Sequence, residues 1–231
     1  QAEFAPAALR DDVLLTFRGR AIRPKTAGQK HYVDAIRDNT VTFAIGPAGT
    51  GKTYLHGHGG GGFKAQGSRS HRAVAAHRGG RREPRFSGRA TLFEKVDPYI
   101  RPLYDALYSM FDQERANALI ENGTIEIAPL AFMRGRTLND AFIILDEAQN
   151  TTPEQMKMAL TRLGFGSKIV VTGDISQIDL PRGESGLVQV RSVLEGIDDI
   201  AFCDLSGKDV VRHSLVATIV AAYERAAGKA R

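Results

Sequence analysis

The stretch Val41-Thr-Phe-Ala-Ile-Gly46-Pro-Ala-Gly-Thr-Gly-Lys-Thr53 decides the fold. Its first five residues are a compact, largely apolar run that stops at a glycine, the pattern of a buried strand. The next eight match G-x-x-x-x-G-K-[ST] at every fixed position, and a preceding strand is the context that motif requires. The glycines let successive backbone N–H groups turn inward and cradle phosphates. A helix starting at Gly51 adds the positive end of its dipole. On this reading Gly46, Pro47, Ala48, Gly49, Thr50, Gly51, Lys52 and Thr53 bind the phosphates of ATP. Lys52 reaches the β- and γ-phosphates, and the Thr53 hydroxyl ligates Mg²⁺.

A phosphate loop needs an acid at the end of a neighbouring strand. Phe142-Ile-Ile-Leu-Asp146-Glu147 supplies one. Four apolar residues carry Asp146 to the carboxyl edge of a sheet, where it holds Mg²⁺ directly or through water. Glu147 is placed to polarise the attacking water, against the alternative of a solvated loop acid. A third strand, Val170-Val-Thr-Gly-Asp174-Ile-Ser-Gln177, brings Asp174 and Gln177 near the γ-phosphate. Gln29 lies 17 residues before Gly46, where a glutamine can read adenine, although a lone glutamine is more often a surface residue.

Outward from these motifs, residues 1–30 read as a polar lead-in broken by Pro24 and Gly28, the end of a missing N-terminal region. The nucleotide-binding domain is then expected over 31–231. Helices are expected at His31–Arg37, Pro102–Leu119, Pro153–Leu163 and Ser214–Ala226, with Thr151 or Thr152 capping the third. Further strands are expected at Ala141–Leu145, Lys168–Thr172 and Ile200–Cys203. Gly164 is read as a left-handed helix cap. Strands alternating with helices, each strand one apolar run, imply an α/β fold. This is a RecA-like P-loop NTPase domain whose mostly parallel sheet carries helices on both faces.

Composition bounds the rest. Cys203 is the single cysteine, so no internal disulfide forms, and a lone thiol fits a reducing compartment. No run reaches the ~18 apolar residues of a membrane span, and no signal sequence opens the chain. The first residue is Gln1, which reads as a fragment or a processed form. The net charge of +5 is concentrated: residues 56–89 carry eight Lys/Arg and one acid, leaving the remainder at −2. Arg134, Arg136 and Arg212 are candidates to stabilise γ-phosphate charge, and Arg212 is favoured as a finger acting in cis or across a subunit contact.

Asp146-Glu-Ala-Gln149 with Gly173-Asp174-x-x-Gln177 resembles motifs II and III of superfamily 1 helicases. The fuller resemblance is to the PhoH family of bacterial ATPases. It rests on PKTAGQKHYVDAI, FAIGPAGTGKTYL, LFEKVDPYIRPLYDAL, IEIAPLAFMRGRTLNDAFIILDEAQNTT, QMKMALTRLGFGSKIVVTGDISQIDLP, SGL and DVVRH, which cover most of 22–55 and 91–224. The resemblance implies a cytoplasmic, Mg²⁺-dependent ATPase tied to RNA metabolism and the phosphate-starvation response, with RNA or a ribonuclease-type protein as partner. A single lobe further implies a homo-oligomer for any translocase activity. Two rivals stay open: a nucleotide-dependent interaction module with little turnover, and an inactive product.

The second rival arises because 56–89 departs from the family. After TYL the family runs into a helix, a strand reading roughly RIVLTRPAVEAGE, then LGFLPG. This chain instead has four of its six histidines and nine of its 24 glycines there. Stepping the frame by one base, with free choice of synonymous codons, turns HGHGGGGFK into MAMAVVAAL, SHRAVAA into RIVLSRP and GGRREPRF into EAGENLGF. Residues 56 to about 89 therefore read as a frameshifted stretch, expected to be disordered or loop and to cost the sheet a strand. The alternative is a genuine His/Gly/Arg insert that binds metal or RNA.

Overall fold

All five residues Val41–Ile45 are buried in a strand, as an apolar run is when it lies inside a parallel sheet covered on both faces. The computed structural model describes residues 14–15, 21–52, 55, 72–77, 103–105, 107–108, 111–180, 183–211, 215–216, 218–219 and 222. Strands β1 (Leu14–Leu15) and β2 (Ala21–Ile22) pair antiparallel as a short ladder. Strands β3 (Val41–Ile45), β4 (Arg72–His77), β5 (Ile125–Pro129), β6 (Ala141–Asp146), β7 (Lys168–Gly173) and β8 (Ile200–Asp204) make one sheet, ordered β5-β4-β6-β7-β3-β8. Every neighbouring pair in it is parallel. One strand, β7, separates β3 with its phosphate loop from β6 with its acid, the arrangement of a RecA-like P-loop domain.

Successive side chains of a strand point to opposite faces, and the core divides accordingly. Phe43, Ile45, Ile143, Leu145, Ile169 and Val171 face one side, where they meet Met156 and Ala159 of α3 (Pro153–Leu160) and Leu187 and Val190 of α4 (Gly186–Leu194). Ala44, Val170 and Cys203 face the other, against Tyr32, Val33 and Ile36 of α1 (Ala27–Asp38). Helices therefore cover both faces. A third cluster sets α2 (Gln113–Glu121) beside β5 through Ala116 and Ile125. Across the β3–β8 register, Phe43 and Phe202 stack with centroids 4.6 Å apart.

Several expectations need correction. The first helix begins at Ala27, not His31, because the Thr26 side chain caps it by accepting from the Gln29 amide. Gly28 is no breaker; it lies in the first turn. The expected helix Pro102–Leu119 is interrupted: Leu103–Asp105 and Leu107–Tyr108 are helical, but Asp112 starts a separate helix by accepting from Arg115 N. The helix from Pro153 stops at Leu160, and its cap is Thr161 with a right-handed φ of −77°. Gly166 takes the left-handed conformation instead of Gly164. Gly164 donates its amide to Leu138 O, so close that a Cβ there would strike that backbone. Strand β5 and helix α4 were not anticipated. The largest correction concerns 56–89. The sheet has not lost a strand there, since Arg72–His77 forms β4 and is paired in register with both β5 and β6. The remainder of 56–89 lies outside the described residues.

Candidate nucleotide site

The phosphate loop sits at the carboxyl end of β3, between β7 and β8. Gly49 and Gly51 adopt φ of +86° and +77°, a region that L side chains avoid, which is why this turn needs glycine twice. Thr50 braces it through Oγ1 to Pro47 O at 3.0 Å. Leu55 N donates to Gly51 O at 2.8 Å, so a helical turn does start at Gly51. Thr53 lies outside the described residues.

Lys52 is buried and folded back on its own loop, donating to Gly46 O at 2.6 Å and Pro47 O at 3.0 Å. Burial pushes its ammonium pKa down, while Asp174, Asp146 and Glu147 push it up by their charge. One cation thus faces three carboxylates gathered from β6 and β7. These residues, with Ala48, Gly49, Gly51, Gly173 and Gln177, line a cleft of about 290 Å³.

Each acid is held in place. Asp146 Oδ1 accepts from the Thr172 hydroxyl and from Glu147 N, the latter at 3.0 Å. Glu147 adopts a left-handed φ of +53°, a strained conformation for a non-glycine residue that tends to occur at functional turns. Its Oε2 accepts from Gln149 Nε2 at 2.5 Å. Asp174 accepts from Ala48 N at 3.1 Å, Ser176 Oγ at 2.6 Å and Gln177 Nε2 at 2.7 Å. Burial raises the Asp174 carboxyl pKa, but the hydrogen bonds from Ser176, Gln177 and Ala48 outweigh it and hold the group below the usual carboxylate range.

Gln149 is the residue that sequence reasoning missed. It is fully buried, and its amide joins the two acidic motifs: Nε2 donates to Glu147, while Oε1 accepts from Asp174 N at 3.1 Å. Ser185 Oγ fastens its carbonyl at 2.7 Å. The available signal was a polar residue at a set distance behind Asp146 in a string otherwise assigned to metal and water. Thr172 was missed for a similar reason, since it reads as the last residue of a strand.

The other candidates fall differently. Gln29 lies beneath the loop, buried, with both ends of its amide committed: Nε2 to Thr50 O at 3.1 Å and Asp209 O at 3.3 Å, Oε1 to Lys25 N at 2.7 Å. As placed it braces the loop rather than offering a free amide to a base. Arg136 makes a two-pronged salt bridge with Glu126 at 2.6 and 2.8 Å. Arg212 lies outside the described residues.

Among the described residues no group of three or more His, Cys, Asp or Glu could hold a metal by itself. Mg²⁺ seldom asks for one, because it keeps water and shares a carboxylate with substrate phosphates. The oxygen donors and the surplus of negative charge around Lys52 fit that ion. No helix among the described residues is long and apolar enough to cross a membrane.

Comparison with known proteins bears on this geometry. The sequence profile of the family described as PhoH-like protein matches residues 21–224. A PhoH-like protein of Mycobacterium tuberculosis (strain H37Rv) is 57% identical over 229 residues, 96% of this chain and 63% of that protein. One from Bacillus subtilis is 50% identical over 239 residues, 97% of this chain and 71% of the relative. Protein PhoH of Escherichia coli K12 is 38% identical over 210 residues, covering 87% and 58%. The chain thus spans 61–63% of the length of the mycobacterial relatives it matches. Among solved structures, the Pif1 helicase of Candida albicans is loosely similar, at 14% identity over 78% of this chain and 39% of that one, with a TM-score of 0.38.

Proposed function

The chain belongs to the PhoH-like protein family, and from that premise we propose that it is a Mg²⁺-dependent ATP hydrolase. The observation that carries this reading is the convergence of Lys52, Asp146, Glu147, Asp174 and Gln177 on one cleft at the mouth of the phosphate loop. Inward-turned amides and a buried ammonium recognise phosphate. On binding, the γ-phosphate takes over the Lys52 contacts now made to Gly46 O and Pro47 O. Asp146 and Thr53 would hold Mg²⁺, which would supply charge neutralisation on the phosphates.

Glu147 is the base that orients the attacking water and takes its proton. The Gln149 amide on Glu147 Oε2 fixes that carboxylate and leaves its other oxygen for the water. Gln177, tethered to Asp174, is proposed to act near the γ-phosphate. Arg212 is proposed as the finger that stabilises transition-state charge. Coupling to RNA or to a ribonuclease-type protein, a cytoplasmic setting and assembly into a homo-oligomer are proposed on the family resemblance.

The test is Glu147→Gln, whose amide cannot accept the proton. ATP binding should persist while hydrolysis falls by about 10²-fold or more, the usual scale of a general base. Turnover near the parent rate would remove Glu147 from the mechanism.

A further inference from the structure

Residues 205–211 lie along the flank of the phosphate loop and hold it at three places. Leu205 packs its carbonyl against Gly46 so closely that a Cβ there would collide with it. Val211 N donates to Gly49 O at 3.0 Å. The Asp209 carbonyl accepts from Gln29 Nε2, the amide that also donates to Thr50 O.

This strap is fastened by one side chain. The Asp209 carboxylate, only 7% exposed, accepts from Thr26 Oγ1 at 2.5 Å, Ser206 N at 2.9 Å and Ser206 Oγ at 3.1 Å. It also takes the Gly28 amide. It thereby sits over the first turn of α1, where a helix end favours negative charge. Gly28 is glycine for this reason, since a Cβ would lie within 2.5 Å of the carboxylate oxygen. Four donors converge on two oxygens, which a carboxylate can satisfy and an amide cannot.

We propose that Asp209 is a positioning residue for nucleotide binding, pinning 206–211 to the start of α1 so that Gly49 and Thr50 are held in phosphate-receiving geometry. The inference rests on the ATPase reading above. It also gives the chain beyond Val211, which continues directly into Arg212, a backbone connection to the loop.

The experiment measures Mg²⁺-ATP affinity of the full chain by titration calorimetry, with circular dichroism and a melting curve on each variant. Asp209→Asn should stay folded and bind about tenfold more weakly, a loss of about 1.4 kcal/mol. Gln29→Ala should weaken binding comparably. The double variant should lose little more than the worse single one, since both act through Thr50; independent structural damage adds instead. A folded Asp209→Asn that binds as the parent does, or strictly additive losses, overturns the proposal. If Asp209→Asn does not fold, Thr26→Ser and Thr26→Val decide it. Serine should keep parental affinity and valine should lose it, whereas equal affinities overturn the proposal. A parent that binds no Mg²⁺-ATP overturns the ATPase reading and this inference with it; a parent that binds alongside an indifferent Asp209→Asn overturns this inference alone.

Discussion

Strands β3 and β4 occupy equivalent places, and their sequences could hardly differ more. Both are interior strands with a parallel partner on each side. β3 is Val-Thr-Phe-Ala-Ile and is buried throughout. β4 is Arg-Ala-Val-Ala-Ala-His, drawn from a stretch rich in glycine, histidine and arginine. Alanine is poorly represented in strands. What places β4 is its surroundings: β5 offers it five register partners and β6 offers six. A slot between two parallel strands imposes extended backbone on the chain that fills it. The identity of a central strand can thus come from its own side chains, as in β3, or from neighbouring ladders, as in β4.

Mutations can break or sharpen this contrast. The largest effect belongs to Phe43→Ala in β3, which should cost about 3–5 kcal/mol in urea unfolding, the range for a buried aromatic. Loss of the stack on Phe202 is part of that. In β4 the backbone should matter more. Ala75→Pro, at a position registered with Ile127 and Ile144, removes a ladder N–H from an interior strand and should lower the unfolding midpoint clearly. An unchanged midpoint for Ala75→Pro, beside a large loss for Phe43→Ala, would show that β4 contributes nothing to the sheet.

A smaller shift is expected on replacing 56–89 with the sequence read in the stepped frame. That change puts an apolar Ile-Val-Leu run at 71–73, at the start of the same slot, and should raise both the unfolding midpoint and the ATPase rate. Equal values for the two versions would mark the present segment as a tolerated insert.

The smallest effect concerns β8, on the other side of β3. Burial there, with the charge of Asp204, pushes the Cys203 thiol up to about 12. A folded-state pKa above the unfolded one gives stability fully present below the unfolded value, about 8.5, and lost as pH rises towards 12. Cys203 should accordingly resist a thiol reagent at pH 8 until the chain is unfolded. Rapid labelling of the native protein would contradict its burial.

Much of this was legible because short motifs combine local pattern with chemistry. The run before Gly46 and the one ending at Asp146 each gave a strand and a site residue together, since an apolar run ending in a polar tip marks the carboxyl edge of a sheet. A cap at Thr151 or Thr152 was readable, and Thr152 takes it, forming a capping box with Gln155. The misses share a cause in long-range contacts. Gly28 reads as a breaker until Asp209, 181 positions away, is seen to occupy its missing side chain. Gln149 reads as part of a motif until its amide is found joining Glu147 to Asp174. Gln29 reads as a reader of adenine until Thr50 and Asp209 are found to use its donors. Pairing partners across the sheet, not local propensity, determine β4.

The cleft at the carboxyl ends of β3, β6 and β7 is proposed to receive ATP through Lys52. Calorimetric titration of Mg²⁺-ATP into the parent and Lys52→Ala tests it most directly. The parent should bind with a measurable heat. A folded Lys52→Ala should bind at least about 100-fold more weakly, some 2.8 kcal/mol, because the only ammonium lining the described cleft has gone. A folded Lys52→Ala with parental affinity would contradict the account, since the nucleotide would then be bound somewhere other than this loop.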